Sequence, residues 1–181
     1  LGGQATGSVD YVQQAGQAFP TADARVNIAN FTRSSLTSVS EPVDVVFQGR
    51  LTSAAGEGRA LIKRGGTPVG RMVATLTPSG SGSWTTRLMQ GPLSGGIRYN
   101  GPSGVLFSLA GLAEQQLSGP IAIAADFGGT VGAPRINGLI RADNLTYTNE
   151  TYGTRLTNMR IGARFNNDRL ELSQLQAKAG E

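Results

Sequence analysis

The chain has 181 residues, enough for one domain, and contains neither Cys nor His. That excludes disulfides, thiolate metal sites and a Cys nucleophile, and removes the commonest general base and metal ligand. Gly is abundant at 26 residues, charged residues are only 15%, and the net charge of +4 comes from Lys and Arg scattered singly. Gly disfavours a helical fold, and a nucleic-acid site wants clustered cations with exposed aromatics.

In chain order, short segments of period two dominate. Thr6 to Val12 alternates weakly, with Val9 and Tyr11 on one face. Ala24 to Phe31 is a strand with Val26 and Ile28 inward, followed by a Ser/Thr-rich connection from Ser34 to Pro42. Pro42 to Leu51 places Val43, Val45, Phe47, Gly49 and Leu51 on one side. Arg59 to Arg64 and Gly70 to Thr77 pair across Gly65-Gly66-Thr67-Pro68, with Met72, Ala74 and Leu76 facing together. Residues 78–83 are a flexible Ser/Gly stretch. Trp84 to Leu88 reads as a short segment within the strand succession, and Leu93 to Asn100 as a strand with Leu93, Ile97 and Tyr99 on one face.

Pro102 to Gln116 breaks the rhythm. Val105, Leu109, Leu112, Ala113 and Gln116 recur at helical spacing, so one short amphipathic helix is expected over 103–116. Ser103 would be its N-cap and Gly119 would lie just beyond its end. By default such a helix packs on the sheet; it could also plug an apolar groove.

Alternation then resumes. Ile121, Ile123, Ala125 and Phe127 oppose Ala122, Ala124 and Asp126. A Gly-rich reversal leads to Ile136, Gly138, Ile140 and Ala142, opposed by Arg135, Asn137, Leu139 and Arg141. Asn144 to Thr148 is a further strand. In Arg155 to Phe165, Met159, Ile161, Ala163 and Phe165 share a face. Asn166-Asn167-Asp168 makes a hairpin turn, and the chain returns with Leu170 and Leu172 inward. The phase slips at Leu175, which indicates a bulge or the strand end.

The succession LSGPIAIAADFGGTVGAPRINGLIRA, then LTYTNETYGTRLTNMRIGARFNNDRLELSQLQAKAG, resembles the repetitive C-terminal region of TamB proteins. These belong with the AsmA-like bridge proteins of Gram-negative envelopes. Gly119, Gly128, Gly129, Pro134, Gly138, Tyr147, Tyr152-Gly153, Leu156 and Leu170 carry the likeness. It is clearest from Gly91 onward and weaker before Ser40.

Strand spacing alone fits a sandwich, a barrel or a solenoid. Internal repetition and the lack of bulky core side chains favour an open rolled sheet. The resemblance implies an elongated, U-shaped (taco-like) all-β sheet with an apolar interior groove. Residues 1–181 are expected to form a single β-rich segment of a longer array, without an internal domain boundary.

The candidate groove is lined by Val43, Val45, Phe47, Met72, Leu76, Ile97, Tyr99, Ile121, Ile123, Phe127, Ile136, Ile140, Met159, Ile161, Phe165, Leu170 and Leu172. An ordinary core is the alternative reading of the same residues. No catalytic residue, metal site or cofactor is expected. Glu41, Asp44, Asp126, Asp143 and Glu150 are dispersed acids, and the glycine pairs match no phosphate loop.

The resemblance implies a non-enzymatic periplasmic segment, tethered to the inner membrane by a part not present here. Its groove would carry phospholipid acyl chains between the two membranes. The alternative is an assembly factor for outer-membrane β-barrel proteins and autotransporters. It would hold client strands together with the outer-membrane barrel TamA. A third reading is a surface adhesin built as a closed β-solenoid. Nucleic acid is not an expected partner.

Overall fold

A computed structural model describes residues 2–32, 41–110 and 115–179. The all-β expectation holds: the described residues form one open antiparallel sheet of 11 strands. They are β1 (Gly2–Val12), β2 (Thr21–Thr32), β3 (Val43–Leu51), β4 (Gly56–Arg64), β5 (Thr67–Leu76), β6 (Leu93–Pro102), β7 (Gln115–Ser118), β8 (Pro120–Gly129), β9 (Pro134–Asn149), β10 (Thr154–Asn166) and β11 (Arg169–Ala179). Each pairs with the next in sequence order, except that β6 pairs β8 and the short β7 pairs the far half of β9. β7 and β8 thus line one side of β9, end to end across Gly119, whose φ of +112° only Gly adopts freely.

Sequential antiparallel pairing follows from the turns. Gly65 and Gly66, both at positive φ, close β4 onto β5. Asn167, at φ +51°, closes β10 onto β11 as the Asn-Asn-Asp triplet predicts. Asn167 also ties that turn to β9: its Oδ1 accepts from Ile136 N at 2.9 Å and its own N–H donates to Ile136 O at 2.7 Å.

Among the described residues, two helices interrupt the meander, not one. Trp84 to Leu88 is not extended: Trp84–Gln90 is α1, started by Ser83, whose hydroxyl accepts from Thr86 N at 3.2 Å. Within the stretch 78–83 that precedes it, Ser79 N donates to Arg87 O at 3.0 Å. The helix expected over 103–116 is α2, Ser103–Ala110. Ser103 is its first residue rather than a cap outside it, and Gln115 and Gln116 are already in β7. The β-pairing of Gln115 with Asn149 and Gln116 with Thr148 wins over helical propensity there. Leu112 and Ala113 of that helical pattern, and most of the Ser34 to Pro42 connection, lie outside the described residues.

α2 packs against β7 and the end of β6. Ser103 N donates to Gly119 O at 2.8 Å. α2 thus stands against β7, whose one strand partner among the described residues is β9.

Asn144 to Thr148 is not a separate strand. It continues β9 past Asn144, which sits at φ +61° and makes a β-bulge. The same device recurs at Asn30 in β2 and Asn158 in β10, at φ +52° and +50°. In each case the bulge absorbs one residue. Ile28 and Phe31, Ala142 and Leu145, and Leu156 and Met159 are each three apart yet stay on one face. The phase slip expected near Leu175 is also a bulge. It falls between Leu172 and Gln174 and returns Leu175 to the face of Leu172.

Candidate functional site: an apolar sheet face

In an antiparallel ladder, residues directly opposite project to the same side. The register therefore links side chains into rows that run from strand to strand, across the strand direction. Every residue named above as a candidate groove residue falls on one face. Phe47, Met72, Ile97, Phe165 and Leu170 share a row with Val26, Ala60, Ala125 and Gly138. Val45, Tyr99, Ile123, Ile140 and Leu172 share the next, with Ile28, Ile62, Gly70 and Ala163. Val43, Ile121 and Ile161 lie one step beyond, and Met159 beyond those, beside Leu145.

On the other side of the Phe47 row runs a low one: Ala24, Gly49, Gly58, Ala74 and Gly95, ending at Phe127 and Ile136. Leu76 belongs to the row after it, with Ala22, Leu51, Gly56 and Leu93. The low row thus lies between two bulky ones. A depression of about 350 Å³ opens there, lined by Ala22, Ala24, Phe47, Leu51, Ala74, Leu76 and Leu93 among others.

The face has an internal packing rule that explains the abundant Gly. Large rings lie over small neighbours. Phe165 covers Gly138 and Phe127 covers Gly95, in both cases directly across the ladder. The ring of Phe47 leans over Gly49, where an added Cβ would meet its atoms at 3.0 and 3.1 Å. A ring laid flat on a neighbouring backbone buries its own area without a second layer above it. Few bulky residues then suffice.

Burial is uneven. The tightest part is the cluster of Ala142, Leu145 and Met159, with Leu117, Ile121, Tyr147 and Ile161 against it. Tyr99 is also buried, and its hydroxyl donates to Pro102 O at 2.8 Å. Burial pushes that hydroxyl above its ordinary value of 10.0; Arg64 opposes the shift and Glu41 adds to it. Toward the last strand the face opens, and Leu170, Leu172 and Leu175 are 60%, 57% and 60% exposed.

The opposite face is polar. Its ion pairs, Arg98–Asp126 at 2.6 Å, Arg50–Asp23 at 3.8 Å and Arg160–Asp143 at 3.9 Å, are exposed, so each stabilises the fold little. Among the described residues, no group of three or more Asp or Glu converges to hold a metal. None of the described helices is long and apolar enough to cross a membrane.

Several contributors to the apolar face escape a reading based on strict alternation: Leu145, Leu156, Phe31 and Leu175. Phe31, Leu145 and Leu175 stand just beyond a bulge, and Leu156 stands just before one. The signal was present as apolar-x-Asn-apolar: IANF at 28–31, ADNL at 142–145 and LTNM at 156–159. No protein-family model, no curated protein and no solved structure matches this chain.

Proposed function

We propose that the apolar face is a non-enzymatic carrier surface for lipid acyl chains. It would be one segment of a longer periplasmic bridge between two membranes. The observation that carries this reading is the low row from Ala24 to Gly95. It runs across five consecutive strands, β2 to β6, along the direction in which further strands would extend the sheet. An extended alkyl chain fits such a track, because it needs apolar walls and no hydrogen-bond partners. Each methylene it buries contributes about 0.8 kcal/mol.

A photoreactive residue at Ala74, on the low row, and one at Gln48, on the polar face, test this in intact cells. Phospholipid adducts at Ala74 and none at Gln48 are expected. Equal labelling of the two positions would overturn the reading.

A second reading has its own support. The outer edges of β1 and β11 pair with no other strand among the described residues. A client strand could add there by backbone pairing, with TamA as the partner that receives it. Polypeptide adducts at Leu172, without lipid at Ala74, would favour this assembly role.

A further inference from the structure

The polar face is not polar throughout. Leu61, Val69, Ala122, Ala124 and Leu139 form an apolar floor on it, within a depression of about 610 Å³ that is larger than the one on the apolar face. Arg71, Arg98 and Arg141 line the same depression. Arg71 and Arg98 stand directly opposite each other on β5 and β6, an arrangement of like charges that destabilises a sheet. Arg98 is already committed: it pairs with Asp126 at 2.6 Å and donates to Ala125 O at 2.7 Å. Among the described residues, neither Arg71 nor Arg141 has a carboxylate within salt-bridge distance.

We infer that this depression is a second binding site, for the anionic head and adjoining alkyl chain of a single-chain amphiphile. Arg71 and Arg141 supply charge-assisted hydrogen bonds to a phosphate or carboxylate, which relieves the repulsion between Arg71 and Arg98. Leu61, Ala122, Ala124 and Leu139 take the chain. The volume lies within the range of small-ligand sites. An acidic peptide fits less well. The floor is built from central strands, β4 to β9, whose backbone groups are spent on neighbouring strands, so a peptide backbone finds no partner there. The inference does not rest on the carrier reading, because the two sites occupy opposite faces.

Calorimetric titration of the purified chain with dodecyl phosphate, below its micelle threshold, tests it. Saturable binding is expected, weakening about tenfold in Arg71→Ser and in Arg141→Ser. Arg155→Ser, outside the depression, should leave it unchanged. Trp84 fluorescence reports that each variant keeps its fold. Dodecylphosphocholine should bind at least tenfold more weakly, and inorganic phosphate should not compete. Overturning results are unaltered binding in both arginine variants, equal weakening in Arg155→Ser, loss of binding only in Ile97→Asp on the apolar face, or an equal affinity for the zwitterion. Tighter binding of an acidic peptide at the same arginines would also overturn it, in favour of a protein partner.

Discussion

The ring of Phe19 meets the indole of Trp84 edge to face, with centroids 6.4 Å apart and planes at 71°. Phe19 lies in the connection from β1 to β2, one residue before its end, and Trp84 opens α1 between β5 and β6. The two strand connections are clasped together although β3 and β4 lie between the strands they join. Arg87 adds its guanidinium 5.2 Å above the Phe19 ring. Phe19 and Pro20 are both buried, and the clasp stands at the strand ends next to the row of Ala22, Leu51 and Leu76.

Phe19→Ala should therefore lower stability by about 3 kcal/mol, within the usual range for a buried Phe. Trp84 is the one tryptophan, so its emission should shift to the red in the native variant. Urea unfolding followed by that fluorescence measures both. An unchanged midpoint would mean that the clasp is incidental.

Gly138 is fixed by two neighbours. A Cβ there would meet the Phe165 ring on one side and the Ala124 carbonyl on the other. Gly138→Ala should cost about 1–3 kcal/mol by overpacking. Phe165→Leu alone should also destabilise, by loss of ring area. In the double variant the smaller side chain gives way, but the carbonyl does not. A double-mutant cycle by chemical denaturation should show a coupling of about 0.5 kcal/mol or more, in the direction of partial rescue. Simple additivity would show that the ring does not rest on Gly138.

The alternation of Ile121 to Phe127 and Ile136 to Ala142 was legible because both strands are regular where they pair. Their register then follows from one reversal. The Phe–Gly stacking was not legible. It depends on which residues of different strands stand opposite, and turn lengths settle that. α1 was not legible as a helix because seven residues show less than two turns of helical period, although Ser83 is a good N-cap. α2 was overextended because Leu112, Ala113 and Gln116 continue its spacing, while the chain past it is claimed by pairing with β9. The arginine-lined depression escaped notice for a different reason. Arg71, Arg98 and Arg141 are far apart in sequence, and each looks like an ordinary solvated strand residue.

The three bulge asparagines make a sharper test of the apolar-x-Asn-apolar rule. Asn144 holds φ +61°, a conformation that Asn adopts more readily than other residues with a side chain beyond Cβ, and that Gly adopts freely. Asn144→Gly should stay within a few tenths of a kcal/mol of the parent. Asn144→Val should lose about 1–2 kcal/mol, because a β-branched side chain strains the left-handed backbone. Leu145, fully buried just after the bulge, should then lose protection from hydrogen exchange. Equal stability of the Gly and Val variants would remove the bulge from the account.

Tyr99 gives the fold a dependence on alkaline pH. Its hydroxyl is held above 10.0 in the folded chain, first by burial, with Arg64 opposing and Glu41 adding. In the unfolded chain it titrates near the ordinary value, about 10. Between those two values the folded chain holds a proton that the unfolded chain has lost. By linkage, stability is fully present below about pH 10 and falls as pH rises through the folded value. Tyr99→Phe removes the titrating group together with its hydrogen bond to Pro102 O. At pH 8 the variant should be less stable by about 1 kcal/mol, the ordinary worth of one hydrogen bond. Toward pH 11 that gap should shrink, because only the parent chain loses the Tyr99 contribution. Urea midpoints of both chains at the two pH values measure the gap; a constant difference would show that Tyr99 ionises alike in the folded and unfolded chains.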